Sequence, residues 1–195
     1  MKKQTIILIV VLVLIALVLL GVGIYLKGKD NTVSSSKLSS VSDMKKMFNT
    51  INGNLKNELP ELETEEIDAS DAMAVESYTG LKSNENVEKI VVSEPVMSSQ
   101  AYSAVAVKVK AGADIESMKQ EMLNNIDTNK WICVSAGAVY ITNCENTIFL
   151  VMSDEDWAKP VYNEFKKYVG NDIGKELEKI SEEDIQLPDE MYVVE

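Results

Sequence analysis

The chain has 195 residues, 19 lysines against 31 acidic residues, a formal charge of −12, and neither histidine nor arginine. That balance disfavours nucleic acid and anionic lipid surfaces as partners, because both are held by a basic footprint. Without His or Arg there can be no His-based triad, no His metal ligand and no bidentate arginine clamp on phosphate or carboxylate.

The first element is an apolar run from Ile6 to Leu26, in which 17 residues are Ile, Leu or Val and none is charged. As a helix it would span roughly 31 Å, against a hydrocarbon core of about 30 Å. A lone strand in lipid would leave its backbone groups unpaired, so the run predicts a transmembrane helix. Its apolar residues favour insertion by roughly 5 kcal/mol. The run exceeds the apolar core of a cleaved signal peptide and ends without a small-x-small cleavage pattern. No cysteine lies near its end for lipid modification, and the Gly and Glu of a pilin leader are missing. An uncleaved signal anchor in the lipid bilayer is the reading. Lys2 and Lys3 on one side nearly balance Lys27 and Lys29 on the other. The short N-terminal tail then places the N-terminus in the cytoplasm and the rest outside, as a single-pass cell-membrane protein.

The predicted organisation is a tail at 1–5, the anchor at 6–26, a Ser-rich flexible linker at 27–40, a domain at 41–170 and an acidic C-terminal extension at 171–195. Residues 30–195 carry 15 lysines against 31 acids. Ser40 and Asp43 form the outline of a capping box, and Val41, Met44, Phe48, Ile51 and Leu55 recur at helical spacing, which predicts a helix over 41–58 ended by Pro60. Residues 61–88 are acidic, with Glu61, Glu63, Glu65, Glu66, Asp68, Asp71 and Glu76 close together. They lack the alternation and glycine of a calcium loop and read as a solvated surface.

The stretch 103–110 alternates, with Val105, Val107 and Val109 opposite Ala104, Ala106, Lys108 and Lys110, as a half-buried strand does. Asp114 caps a helix over 114–126 with Ile115, Met118, Met122 and Ile126 inward. Trp131 to Val134 suggests a short strand. The stretches 138–143 and 147–152 form a hairpin about Asn143-Cys144-Glu145-Asn146, and Ile148 to Met152 is apolar throughout, as a central strand would be. Ser153 opens a helix over 154–169 that contains Pro160 and stops at Gly170. Ile173, Leu177 and Ile180 suggest one more short helix. The fold class is therefore α+β: a single transmembrane helix followed by a two-layer domain, an antiparallel sheet of three to four strands packed against helices.

Cys133 and Cys144 are the only cysteines. Outside the cell they could pair as a disulfide, although two free, partly buried thiols are the simpler reading; no CxxC spacing supports zinc or thiol chemistry. No catalytic, cofactor-binding or metal-ligating set of residues stands out, and no cofactor is implied.

Several short stretches between residues 59 and 169 resemble a bacterial family of unknown function. They are Leu59-Pro60 after a helix, Tyr78-Thr79-Gly80-Leu81, Glu94-Pro95-Val96-Met97 ahead of AVAVKVKAG, the helix IESMKQEM and the hairpin AVYITNCENTIFLVMS. The resemblance implies a membrane-anchored or lipid-anchored protein with one α/β domain outside the cell, and it implies no activity. This chain departs from that pattern in its uncleaved apolar run and longer acidic C-terminus.

The function that follows is a non-enzymatic binding or accessory module of the cell envelope, docking on an envelope protein or a cell-wall polymer. Two alternatives remain open. One is a carboxylate-based hydrolase of cell-wall polysaccharide, since paired acids need neither His nor Arg. The other is a cation-responsive sensor using the acidic segment.

Overall fold

The structure is a computed structural model that describes residues 37–97 and 99–181. The described residues form α1 (Val41–Asn54), β1 (Leu62–Ile67), α2 (Ala72–Thr79), β2 (Val87–Pro95), β3 (Tyr102–Val109), α3 (Ile115–Asn125), β4 (Ala138–Cys144), β5 (Thr147–Ser153), α4 (Glu155–Tyr168) and β6 (Leu177–Ile180). The strands make one antiparallel sheet in the order β1-β2-β3-β5-β4-β6. The α+β class stands, but the three to four strands become six.

The two layers become three. One face of the sheet packs Val91, Ala104, Ala106, Tyr140, Phe149 and Val151 against Met44, Met47 and Phe48 of α1 and Val161 and Phe165 of α4. The other packs Val92, Val105, Val107, Ile141, Ile148 and Leu150 against Val75 of α2 and Met118 and Met122 of α3. The alanines of β3 are the physical reason. Read as a solvent face, Ala104 and Ala106 are instead fully buried. Their small side chains leave room for an aromatic stack in which Phe149 lies 4.1 Å from Phe165 and 6.1 Å from Phe48, centroid to centroid. Apolar on both faces, β5 sits between β3 and β4 with every residue buried.

Among the described residues no helix is long and apolar enough to cross a membrane. The transmembrane helix expected from Ile6 to Leu26 lies outside the described residues, as does the tail beyond Ser181. The last residues assigned to the linker already belong to the core: Leu38 is buried, and its carbonyl accepts a hydrogen bond from the Thr147 hydroxyl at 3.1 Å.

Local chemistry sets the helix ends. The Ser40–Asp43 capping box forms in both directions, and Asp114 accepts from the Ser117 amide at 3.1 Å. Ser153 does not cap α4. It ends β5 and donates to the Ala101 carbonyl at 2.7 Å, leaving Asp154 as an N-cap with no side-chain bond. Pro160 lies inside α4, which closes when the amides of Gly170 and Asn171 return to the carbonyls of Lys167 and Lys166. α1 stops at Asn54, short of Pro60, and the turn that follows buries Leu55 and Leu59.

Three further expectations change. The acidic segment contains β1, an edge strand whose Glu63, Glu65 and Glu66 are exposed while Leu62, Thr64 and Ile67 are half-buried. Charge on an edge discourages pairing with other chains. Residues 131–133 form bends and Val134 is irregular, so no strand forms there. The short helix expected from Ile173, Leu177 and Ile180 is a loop followed by β6, which pairs with β4.

Gly80 joins the layer of α2 and α3. It takes the left-handed conformation (φ 77°) as the C-cap of α2, and a Cβ there would lie 2.7 Å from the Ile126 amide nitrogen. Gly80→Ala combines a left-handed penalty of about 1–2 kcal/mol with an overpacking cost of about 1–3 kcal/mol. It should lower unfolding free energy by about 2–5 kcal/mol in a urea titration; a loss below about 1 kcal/mol would show that the two helices part without cost.

Candidate functional site

The groove with the richest chemistry lies where α4 leaves the edge of the sheet uncovered. It has a volume of about 400 Å³ and is lined by Tyr140 from β4, Lys159, Tyr162 and Lys166 from α4, and Glu176 and Glu178 at β6. Strand alternation explains the composition. Tyr140 and Glu178 are directly opposite in the β4–β6 register and so share the face that α4 covers, whereas Ile141 and Leu177 turn to the other face.

The Tyr140 and Tyr162 rings stack with centroids 5.2 Å apart, forming a flat aromatic surface in the groove. The Tyr162 hydroxyl donates to Glu176 Oε2 at 2.8 Å, and Lys166 Nζ donates to the same oxygen at 2.9 Å while lying 5.5 Å from the Tyr162 ring centroid. At the other end the Tyr140 hydroxyl donates to Glu155 Oε1 at 3.4 Å, and Lys159 donates to that oxygen at 2.8 Å. Two Tyr–Glu–Lys sets thus form, with Glu176 lining the groove and Glu155 outside its lining but bound to Tyr140 and Lys159, which are part of it.

These contacts fix the charge states. Glu176 is held below the usual carboxylate range by Lys166 and then by the Tyr162 hydroxyl. Glu155 is lowered chiefly by Lys159, whose ammonium is raised in return. Both tyrosines are pushed up, first by burial and then by their glutamate neighbours. Both carboxylates stay ionised and both phenols stay protonated around neutrality. A general acid needs a raised carboxyl, which is the opposite direction.

The wall formed by β6 depends on a buried cation. Lys119 on α3 has no solvent-exposed side-chain surface, and its ammonium reaches Glu116 Oε1 at 2.7 Å, Asn143 Oδ1 at 2.7 Å and the Lys175 carbonyl at 2.6 Å. Its three protons therefore have three acceptors. Gly174 packs so closely beside Asn143 that a Cβ would fall 2.1 Å from Asn143 Oδ1, and its amide donates to the Asn143 carbonyl at 2.8 Å.

A second cluster lies at the start of β3. Lys130 pairs with Glu94 at 2.5 Å and lies 4.9 Å from the Tyr78 ring centroid and 5.3 Å from that of Trp131. It ties the α3–β4 loop to α2 and β2. Cys133 is exposed in this loop, Cys144 is buried at the end of β4, and both are free thiols, so the structure does not pair them.

The acids expected to form one surface are shared among β1, the following turn and α2. Asp68 is bound to Ser70 and Asp71 caps α2. Among the described residues no group of three or more His, Cys, Asp or Glu is placed to hold a metal ion.

Sequence reasoning did not single out the groove residues. The Glu155–Lys159 and Tyr162–Lys166 spacings along α4 were a usable signal, because residues four apart share a helix face. Glu176 and Glu178 could be placed only by knowing that β6 returns beside β4. Compared with known proteins, the chain matches no family model, no characterised protein and no solved structure.

Lowered glutamates set the acid dependence of the groove. Glu176 contributes stability in full above its ordinary value of 4.5 and loses it as the pH falls through the lower folded-state value. Glu176→Gln should therefore flatten the fall in urea midpoint below about pH 4.5, leaving the profile above it unchanged in shape. A variant profile parallel to the wild type throughout would remove Glu176 from the acid response.

Proposed function

We propose that the protein is a non-enzymatic binding module of the cell envelope, with the groove between α4 and β6 as its ligand site. The apolar run from Ile6 to Leu26 holds it at the cell membrane, with the domain on the extracytoplasmic side. The partner is an envelope protein or a cell-wall polymer.

One observation carries this reading: the groove joins a stacked tyrosine pair to two glutamates held below the usual carboxylate range, each hydrogen-bonded by a lysine of α4. Flat aromatic surface with fixed charges suits recognition, since such side chains lose little freedom when a ligand docks. The same lowered carboxylates count against hydrolysis by an acid and base pair, where one carboxyl must hold its proton near neutrality.

Photocrosslinking in intact cells tests the site. A photoreactive residue replacing Asn163, which lines the groove, should capture an envelope component several-fold more efficiently than one replacing Glu63 on the far edge of the sheet. Capture should fall when Tyr162→Ala is added. Equal capture at both positions, or capture unaffected by Tyr162→Ala, would contradict the assignment.

A further inference from the structure

β6 is an edge strand, and its register fixes which backbone groups face outward. The Ser181 amide donates to the Gly137 carbonyl at 2.7 Å, and 137–181 continues the β4–β6 register. Hydrogen-bonded pairs alternate in an antiparallel ladder, so Lys179 and Leu177 also point their backbone groups at β4. The amides and carbonyls of Glu178 and Ile180 point the other way, to the open side of the sheet. Their side chains lie on the α4 face, Glu178 in the groove and Ile180 two residues along at 45% exposed.

We infer that the groove takes an extended polypeptide segment that adds to β6 as a further strand and places a basic residue against Glu178 and an apolar residue against Ile180. This rests on the assignment of the groove as the ligand site and adds the class of partner and the mode of binding. Backbone pairing supplies affinity in strand addition, and alternate side chains supply selectivity. Glu178 makes no direct ion pair among the described residues and only raises Lys159 at longer range, whereas Glu155 and Glu176 each hydrogen-bond a lysine. It is the groove carboxylate left for a partner's cation.

Charge also decides among occupants. The chain's own residues 182–195 contain six acids and no base, and a second copy brings another formal charge of −12. The tail brings like charge to Glu178, and a second copy approaches against net repulsion. A segment with a basic and an apolar residue two positions apart, apolar first if it adds antiparallel, and a neutral or acidic residue facing Lys179, is the complementary one.

The test uses the full chain in neutral detergent and an eight-residue probe, Thr-Lys-Thr-Val repeated twice, with a Glu-for-Lys version as control. The Lys probe should bind, weaken with added salt, and slow hydrogen exchange at the Glu178 and Ile180 amides; the Glu probe should do neither. Ile180→Pro removes an outward amide without touching the β4 ladder, and should weaken binding roughly tenfold, while Ile180→Ala should change it roughly threefold at most. Glu178→Lys should cost roughly tenfold and shift preference toward the Glu probe.

Unchanged exchange at both amides with bound probe, or equal affinity in Ile180→Pro, would overturn strand addition. Capture at residue 163 with either result would leave the groove a ligand site of another kind. Protection of the two amides without probe overturns the inference as well. If that protection is lost on truncation after Ser181, the tail is the occupant. If it depends on protein concentration, a second copy is.

Discussion

A lysine without solvent contact cannot be left unpaired in a protein interior, and this requirement shapes the whole C-terminal third of the domain. Lys119 reaches the core side of α3, where its charge is met by Glu116, by the Asn143 side chain at the end of β4 and by the backbone carbonyl of Lys175. Desolvating a cation costs several kcal/mol, so the arrangement persists only because every donor is used. The segment carrying the Lys175 carbonyl is thereby drawn to the sheet, and β6 follows directly after it.

The groove is a consequence of that docking. α4 covers β4 and β5 but not the added edge strand, so a channel remains between them, with Tyr140 and Glu178 on one side and Tyr162 on the other. Gly174 is part of the same constraint, since any side chain there would collide with Asn143 and pull Lys175 from Lys119. The Lys166–Glu176 pair spans the channel from α4 to the segment that leads into β6. Half-exposed and screened by water, it sets charge state and position more than stability.

The elements with two-faced or strict periodicity were legible in the sequence. β5 announced itself through five consecutive apolar residues, α3 through Met118 and Met122, and α1 through its capping box. The third layer was not legible, because Ala104 and Ala106 look like solvent-side residues until Phe48, Phe149 and Phe165 are seen to fill the space above them. β1 was hidden by its acids, which mark an edge as readily as a loop. β2 loses its alternation at a register shift between Val87 and Lys89. The intervals from Ile173 to Leu177 to Ile180, four and three residues, imitate a helix, and only long-range contact with β4 decides otherwise. The groove inherits this blindness. Its helical side was written in α4, but its other wall depends on Lys119, an ordinary charged residue until burial gives it a role.

The central claim is that Lys119 fastens β6 and so builds the groove, and amide hydrogen exchange of Lys119→Met tests it most directly. The substitution keeps the volume but leaves Asn143 Oδ1 and the Lys175 carbonyl without their donor. The account predicts that protection falls at Gly174, Leu177, Lys179 and Ser181 while the amides joining β3 to β5 keep theirs. Retained protection in β6, or an equal loss across the sheet, would contradict it.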